Sequence, residues 1–141
     1  MTKEQLYSNQ YQFTPAENRR FTRANLTKLV YTNARFEGGK LTLAQTQTVL
    51  DGVSVAGVPV SDILTLVNLK RAWLFALDQK GTLTLELEKQ LNKLVAAEDT
   101  AFAGELRQRQ GGVSLGGGEI FAQPLIDKQQ EALFLQQILT N

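Results

Sequence analysis

The hydrophobic and polar positions along the chain repeat mostly with the period of an α-helix. Residues 14–37 carry apolar side chains three and four positions apart, behind a Thr-Pro-Ala-Glu sequence that favours a capped helix start. Similar patterns predict helices over residues 42–52, 62–79, 84–95 and 127–139. The sequence therefore predicts a mainly α fold, a helical bundle of about five helices.

Two of these helices have unusually broad apolar surfaces. The helix at 62–79 is apolar nearly all round, which predicts a place inside the bundle, and Asn68 is its polar exception. A buried Asn68 needs hydrogen-bond partners, because an unpaired amide costs roughly 1–3 kcal/mol. The last helix is apolar over more than half its circumference. We expect a homo-oligomer, a missing C-terminal half of the chain or a partner to cover it.

One stretch departs from the helical period. Two short β-type runs flank a glycine cluster within residues 111–123, which predicts a β-hairpin. The glycines have the spacing of a P-loop opening, but Gly117 and Gly118 stand where that motif requires Lys and then Ser or Thr. A flexible hairpin tip is therefore favoured over a phosphate site.

The same pattern divides the chain into two parts. Residues 1–13 are polar with scattered aromatic side chains and show no clear period. We interpret them as an N-terminal arm that packs its aromatic rings against the body. Residues 14–141 are then one helical domain, long enough to bury a core.

Composition narrows the possible functions. The 141 residues include 15 Lys and Arg and 14 Asp and Glu, so no basic surface indicates nucleic acid binding. No apolar run approaches a membrane span and no signal peptide is evident, which favours a cytoplasmic protein. Histidine and cysteine are absent, and with them the commonest general base and metal ligands. No catalytic or metal-binding residue is assigned.

One carboxylate stands out by its position. The helical pattern that ends near Phe36 is followed by Glu37, Gly38 and Gly39. A helix C-terminus carries a partial negative charge, so an anionic side chain there opposes local stability by ~0.3–1 kcal/mol. Glu37 is therefore either a neutral surface residue or a side chain directed at a cation elsewhere.

Taken in order, these segments resemble the N-terminal half of Fic (filamentation induced by cAMP) domain proteins. The resemblance begins with Val-Tyr-Thr-Asn-Ala-Arg-Phe-Glu-Gly-Gly-Lys-Leu-Thr-Leu at residues 30–43, continues through Val-Asn-Leu at 67–69 and Gly-Glu-Leu-Arg at 104–107, and ends at the glycine-rich hairpin. The family's inhibitory motif has Ser or Thr four residues before its Glu. Here Asn33 takes that position, and Gly39 replaces the usual Asn.

The resemblance implies a Fic-like fold in an enzyme that transfers AMP, or another nucleotidyl group, from ATP with Mg to a hydroxyl of a target protein. Asn33, Glu37 and Gly38 would then belong to the autoinhibitory motif on the helix at 14–37. The hairpin would be the flap that docks the target. The flap residues implied are Val113, Ser114, Leu115, Ile120 and Phe121.

The family's catalytic loop, His-x-Phe-x-(Asp/Glu)-Gly-Asn-x-Arg, has no counterpart here, since the chain contains no histidine. We therefore expect a C-terminally incomplete Fic domain that is inactive and binds no cofactor alone. An alternative from another class stays open. The chain could be a non-catalytic helical interaction module, either an antitoxin-like inhibitor or a self-assembling scaffold, which inserts Glu37 into a partner that carries the loop.

Overall fold

The computed structural model describes residues 11–106, 111–114, 116–122 and 127–140. Within them the chain forms six helices and two short strands. The helices are α1 (Pro15–Ala24), α2 (Leu26–Phe36), α3 (Leu43–Leu50), α4 (Val60–Asp78), α5 (Leu85–Val95) and α6 (Lys128–Thr140), and the strands are β1 (Gly112–Ser114) and β2 (Ile120–Ala122). The prediction of a mainly α protein is confirmed.

Capping side chains set three of the helix starts. At α1 the Thr14 hydroxyl accepts from the Glu17 N–H at 3.3 Å, and the Glu17 carboxylate accepts from the Thr14 N–H at 2.8 Å. The hydrogen bonds from the Thr14 backbone and side chain lower the pKa of Glu17. Thr42 and Gln45 form the same reciprocal pair at α3, with distances of 3.2 and 2.9 Å. Thr84 caps α5 through its hydroxyl. These starts lie where the sequence predicts them.

Two predicted boundaries are wrong. The single helix expected over 14–37 is interrupted at Asn25, whose side-chain amide donates to the Phe21 carbonyl at 2.8 Å. Such a local bond competes with the regular backbone ladder. Helix α4 begins two residues before Asp62, behind Pro59, so Asp62 does not cap it. Asp62 lies in the first turn instead, where its charge complements the helix dipole.

The expected N-terminal arm is described only at its end, since residues 1–10 lie outside the described part of the chain. Tyr11 is 84% exposed, so the expectation of a packed aromatic ring is wrong for this residue. Phe13 does contact the body. Its ring centroid lies 5.6 Å from that of Phe21, and the two rings are tilted by 33°, a separation typical of aromatic pairs.

The core lies where α2, α3 and α4 meet. Val30, Thr46 and Leu66, one from each helix, are the largest fully buried side chains. Helix α5 packs along α4, and α6 packs on α5. No described helix combines the length and the apolar character needed to cross a bilayer. Helix α4 is central as predicted, yet only four of its residues are buried: Leu66, Asn68, Leu69 and Ala72.

The two strands pair antiparallel, with Val113 opposite Phe121 in the backbone register. Between them Gly116, Gly117 and Gly118 have φ angles of +81°, +64° and +86°. Glycine adopts these values without the steric cost that other residues meet. The strands contact chiefly each other, so the helices carry the stability of the fold.

The position of the core can be tested by shortening one leucine. Leu66 is 1% exposed, and we expect Leu66→Ala to lower the free energy of unfolding by ~2–5 kcal/mol, because it removes apolar contacts and leaves a cavity. Leu83, 52% exposed in the α4–α5 connection, is the matched control. Leu83→Ala should change the free energy of unfolding by less than ~0.5 kcal/mol. Urea denaturation measures both. Equal losses would contradict the placement of the core.

Candidate functional site

Glu37 is the C-cap residue of α2, and the chain turns sharply after it. Gly38 has a φ of +83°. Its N–H donates to the Arg35 carbonyl at 3.3 Å, and the Gly39 N–H donates to the Ala34 carbonyl at 2.8 Å. This is the Schellman pattern, in which the first two N–H groups after a helix pair with its last unpaired carbonyls.

Both glycines are required by the geometry of this turn. Another residue at Gly38 would be strained by the positive φ. A Cβ on Gly39 would lie 2.8 Å from the Ala34 carbonyl oxygen, which is closer than real Cβ contacts allow. The departure from the Fic motif at position 39 therefore has a steric reason here. The Arg35 guanidinium also donates to the Gly39 carbonyl at 3.2 Å, which holds the turn from its other side.

The charge of Glu37 is not balanced within the described residues. Its side chain is exposed, and the only ion pair found in the described part of the chain joins Lys89 to Glu86. Arg35 is nearby in sequence, yet its guanidinium donates to a backbone carbonyl. The helix end itself is partly negative. Glu37 is therefore a carboxylate that an outside cation can reach.

Asn33 has a different role in this fold. Its Oδ1 accepts a hydrogen bond from Trp73 Nε1–H at 2.8 Å, in a partly buried position. The bond ties α2 to α4 across 40 residues of sequence. No local spacing along the sequence signals such a pair. Asn33 thus orients the helix that ends at Glu37.

Glu37 contributes to two neighbouring hollows. A small cavity of about 60 Å³ lies at the α2 turn, where Asp62 and Thr65 of α4 also line it. A wider groove of about 420 Å³, which we call the tryptophan groove, lies between α2, α4 and α5. Phe36 in its lining is 84% exposed. The tryptophan groove is lined by Asn33, Phe36, Glu37, Leu69, Ala72, Trp73, Ala76, Leu91 and Val95.

One carboxylate beside a mainly apolar groove suits a particular kind of partner. The partner would bring a cationic group to Glu37 and apolar side chains to the tryptophan groove. Burial of the pair would strengthen the attraction, because the effective dielectric constant falls as water is excluded. An arginine fits best, since its planar guanidinium can meet a carboxylate with two hydrogen bonds.

Four of the five residues implied as the flap lie in the two strands. Ile120 and Phe121 of β2 are 74% and 57% exposed, and Ser114 of β1 is exposed. The Val113 backbone is part of β1, while Leu115 lies outside the described residues. A short exposed strand with apolar side chains can take an extended peptide at its edge.

The described residues do not fit ATP or Mg. Among them no group of three or more metal-ligating acidic, His or Cys side chains comes together. The glycines at 116–118 join two strands, whereas a phosphate cradle needs the N-terminus of a helix behind it. Nucleotide chemistry would therefore need residues from outside this part of the chain.

Comparison with known proteins gives no relative. No protein-family model matches the chain, and neither curated proteins nor solved structures give a match. The resemblance to Fic proteins therefore depends on the order of the sequence segments alone.

The role of Asn33 leads to a stability prediction. Asn33→Ala leaves the Trp73 N–H without its acceptor, and we expect a loss of about 1–3 kcal/mol in the free energy of unfolding. Asn18→Ala on α1 is the matched control, because Asn18 is exposed and also helical. It should change stability by less than ~0.5 kcal/mol. Urea denaturation followed by tryptophan fluorescence measures the stability of both variants. Equal losses for Asn33→Ala and Asn18→Ala would contradict a stabilising role of the Asn33–Trp73 hydrogen bond.

Proposed function

We propose that this chain is the regulatory and target-docking part of a Fic-type enzyme that transfers AMP to a protein hydroxyl. In this proposal Glu37 is the inhibitory carboxylate, Asn33 orients its helix and the β1–β2 pair is the flap. The observation that carries the proposal is Glu37 itself, exposed and unbalanced at the end of a helix that a two-glycine turn fixes.

To act as an inhibitory switch, Glu37 has to be free to pair with a cation outside the described residues. The Fic resemblance implies that the partner is an Arg late in the catalytic loop, and that their ion pair excludes the γ-phosphate of ATP. Removing one member of a buried ion pair costs roughly 3–5 kcal/mol, because the other charge is left uncompensated. A pair of this strength at Glu37 could hold the enzyme inactive.

Catalysis would belong to residues beyond this segment. The chain contains no histidine, so the proton of the target hydroxyl would be taken by a group outside these 141 residues. In this proposal the segment supplies the carboxylate that inhibits the enzyme and the strand pair that docks the target protein. The exposed Ile120 and Phe121 would contact apolar side chains of the target, while the strand edge pairs with its backbone.

A second candidate is a non-catalytic helical module, and α6 is the observation that favours it. Leu133, Phe134 and Ile138 are 59%, 62% and 57% exposed on this one helix. An apolar face of this extent is typical of an interaction surface. As a self-assembling scaffold the chain would be an oligomer. As an antitoxin-like inhibitor it would present Glu37 to a separate protein that carries the catalytic loop.

The test uses the gene as it continues after codon 141. If the downstream frame encodes the histidine loop, the extended protein is assayed for AMP transfer from labelled ATP. We expect Glu37→Gly to raise the rate at least about tenfold, which corresponds to 1.4 kcal/mol of lost inhibition. Asp51→Gly is the matched control, because Asp51 is also a C-cap carboxylate before a glycine with positive φ. It should leave the rate unchanged.

The outcomes separate the two candidates. AMP transfer by the 141-residue chain alone, or an extended protein that is insensitive to Glu37, would overturn the first proposal. A stop codon directly after codon 141 would favour the module. Light scattering then decides its form: a scaffold is an oligomer, whereas a monomer that captures no partner contradicts both forms of the module.

A further inference from the structure

A second groove lies along α4 and α5, and none of its lining residues lines the tryptophan groove. We call it the asparagine groove. Its volume is about 410 Å³, which lies within the range of ~300–1,000 Å³ usual for ligand sites. The lining residues that matter here are Asn68, Arg71, Phe75, Lys93, Leu94 and Glu98.

Asn68 is the side chain that points to a ligand. It is only 5% exposed, yet its amide forms no hydrogen bond with any described residue. The polar atoms of this amide are open to the groove, where water or a bound group can pair with them. Because Asn68 lines the asparagine groove, a group that enters the groove can supply the missing partners.

The charges around Asn68 select an anion. Arg71 lies three residues later, so the two side chains share one face of α4 with their Cβ atoms about 5–6 Å apart. Arg71 and Lys93 are exposed, and neither forms an ion pair with a described carboxylate. Glu98 also lines the groove, so two positive charges face one negative charge. The surplus of one positive charge matches a single carboxylate better than a doubly charged phosphate.

Most of the remaining surface of the asparagine groove is apolar. Phe75 from α4 and Leu94 from α5 are half-buried, which leaves part of each side chain available for contact. A ligand that fills the groove would cover this area and gain from its removal from water. The occupant therefore combines one carboxylate, one apolar group and a group that pairs with an amide.

We propose that the asparagine groove binds the C-terminal end of a peptide chain. The terminal carboxylate lies between Arg71 and Lys93, the last side chain packs on Phe75 and Leu94, and the preceding peptide group pairs with Asn68. An Asn amide offers both a donor and an acceptor, as a peptide group does, whereas a fatty acid carboxylate offers only acceptors. This inference goes beyond the function proposed for Glu37 and does not depend on it.

Binding is tested with four fluorescein-labelled peptides of sequence Gly-Ser-Gly-Ser-X, in which X is Leu, Ile, Val or Phe with a free carboxylate. We expect saturable fluorescence polarisation for at least one of them. The same peptide with a C-terminal amide should bind at least about tenfold more weakly, because it loses the hydrogen bonds made by the charged carboxylate. In ¹⁵N NMR spectra, the side-chain NH₂ signal of Asn68 should shift on binding.

Two double variants, each of which loses two positive charges, show whether the peptide binds in the asparagine groove. Arg71→Gln with Lys93→Gln should weaken it at least about tenfold. Arg20→Gln with Lys28→Gln, two exposed cations outside the groove, should leave it unchanged. The proposal is overturned if no peptide binds below a Kd of about 1 mM, if acid and amide bind equally, or if both variants behave alike. Displacement of the peptides by octanoate would overturn the assignment to a peptide.

Discussion

The rest of the structure depends on the burial of one helix, α4. It carries apolar side chains on nearly all sides, and burying them yields about 25 cal/mol for each Å² removed from water. Helices α2 and α3 cover one part of it around Leu66, and α5 covers another. The cover is incomplete, since most α4 residues stay partly accessible. The tryptophan groove and the asparagine groove are the uncovered parts, and both proposals concern them.

Two asparagines that line these grooves differ in their hydrogen bonding. Asn33 has a partner, because its Oδ1 accepts from the Trp73 indole, and this bond joins two helices. Asn68 is more deeply buried and has no partner among the described residues. The first amide is therefore paired within the fold, whereas the second is open to a group that enters the asparagine groove. A similar contrast separates Glu37 from Glu86, which pairs with Lys89.

The sequence correctly predicted the features that depend on interactions between residues close together along the chain. The capping boxes at Thr14 and Thr42 formed because each needs only residues within four positions. The exposed position of Glu37 followed from a helix end and two glycines. The break at Asn25 was missed because a periodic apolar pattern does not show that its side chain adds a second hydrogen bond to the Phe21 carbonyl. The Asn33–Trp73 bond and both grooves require tertiary packing, so no spacing along the chain reveals them.

If Glu37 serves an external cation and not the fold, the Glu37→Gln variant should be as stable as the unchanged protein. This substitution removes the charge and keeps the shape of the side chain. We expect its free energy of unfolding, measured by urea denaturation, to be unchanged or raised by up to ~1 kcal/mol, because a negative charge leaves the negative end of α2. A loss of more than ~2 kcal/mol would contradict it, since the carboxylate would then hold the α2 turn together.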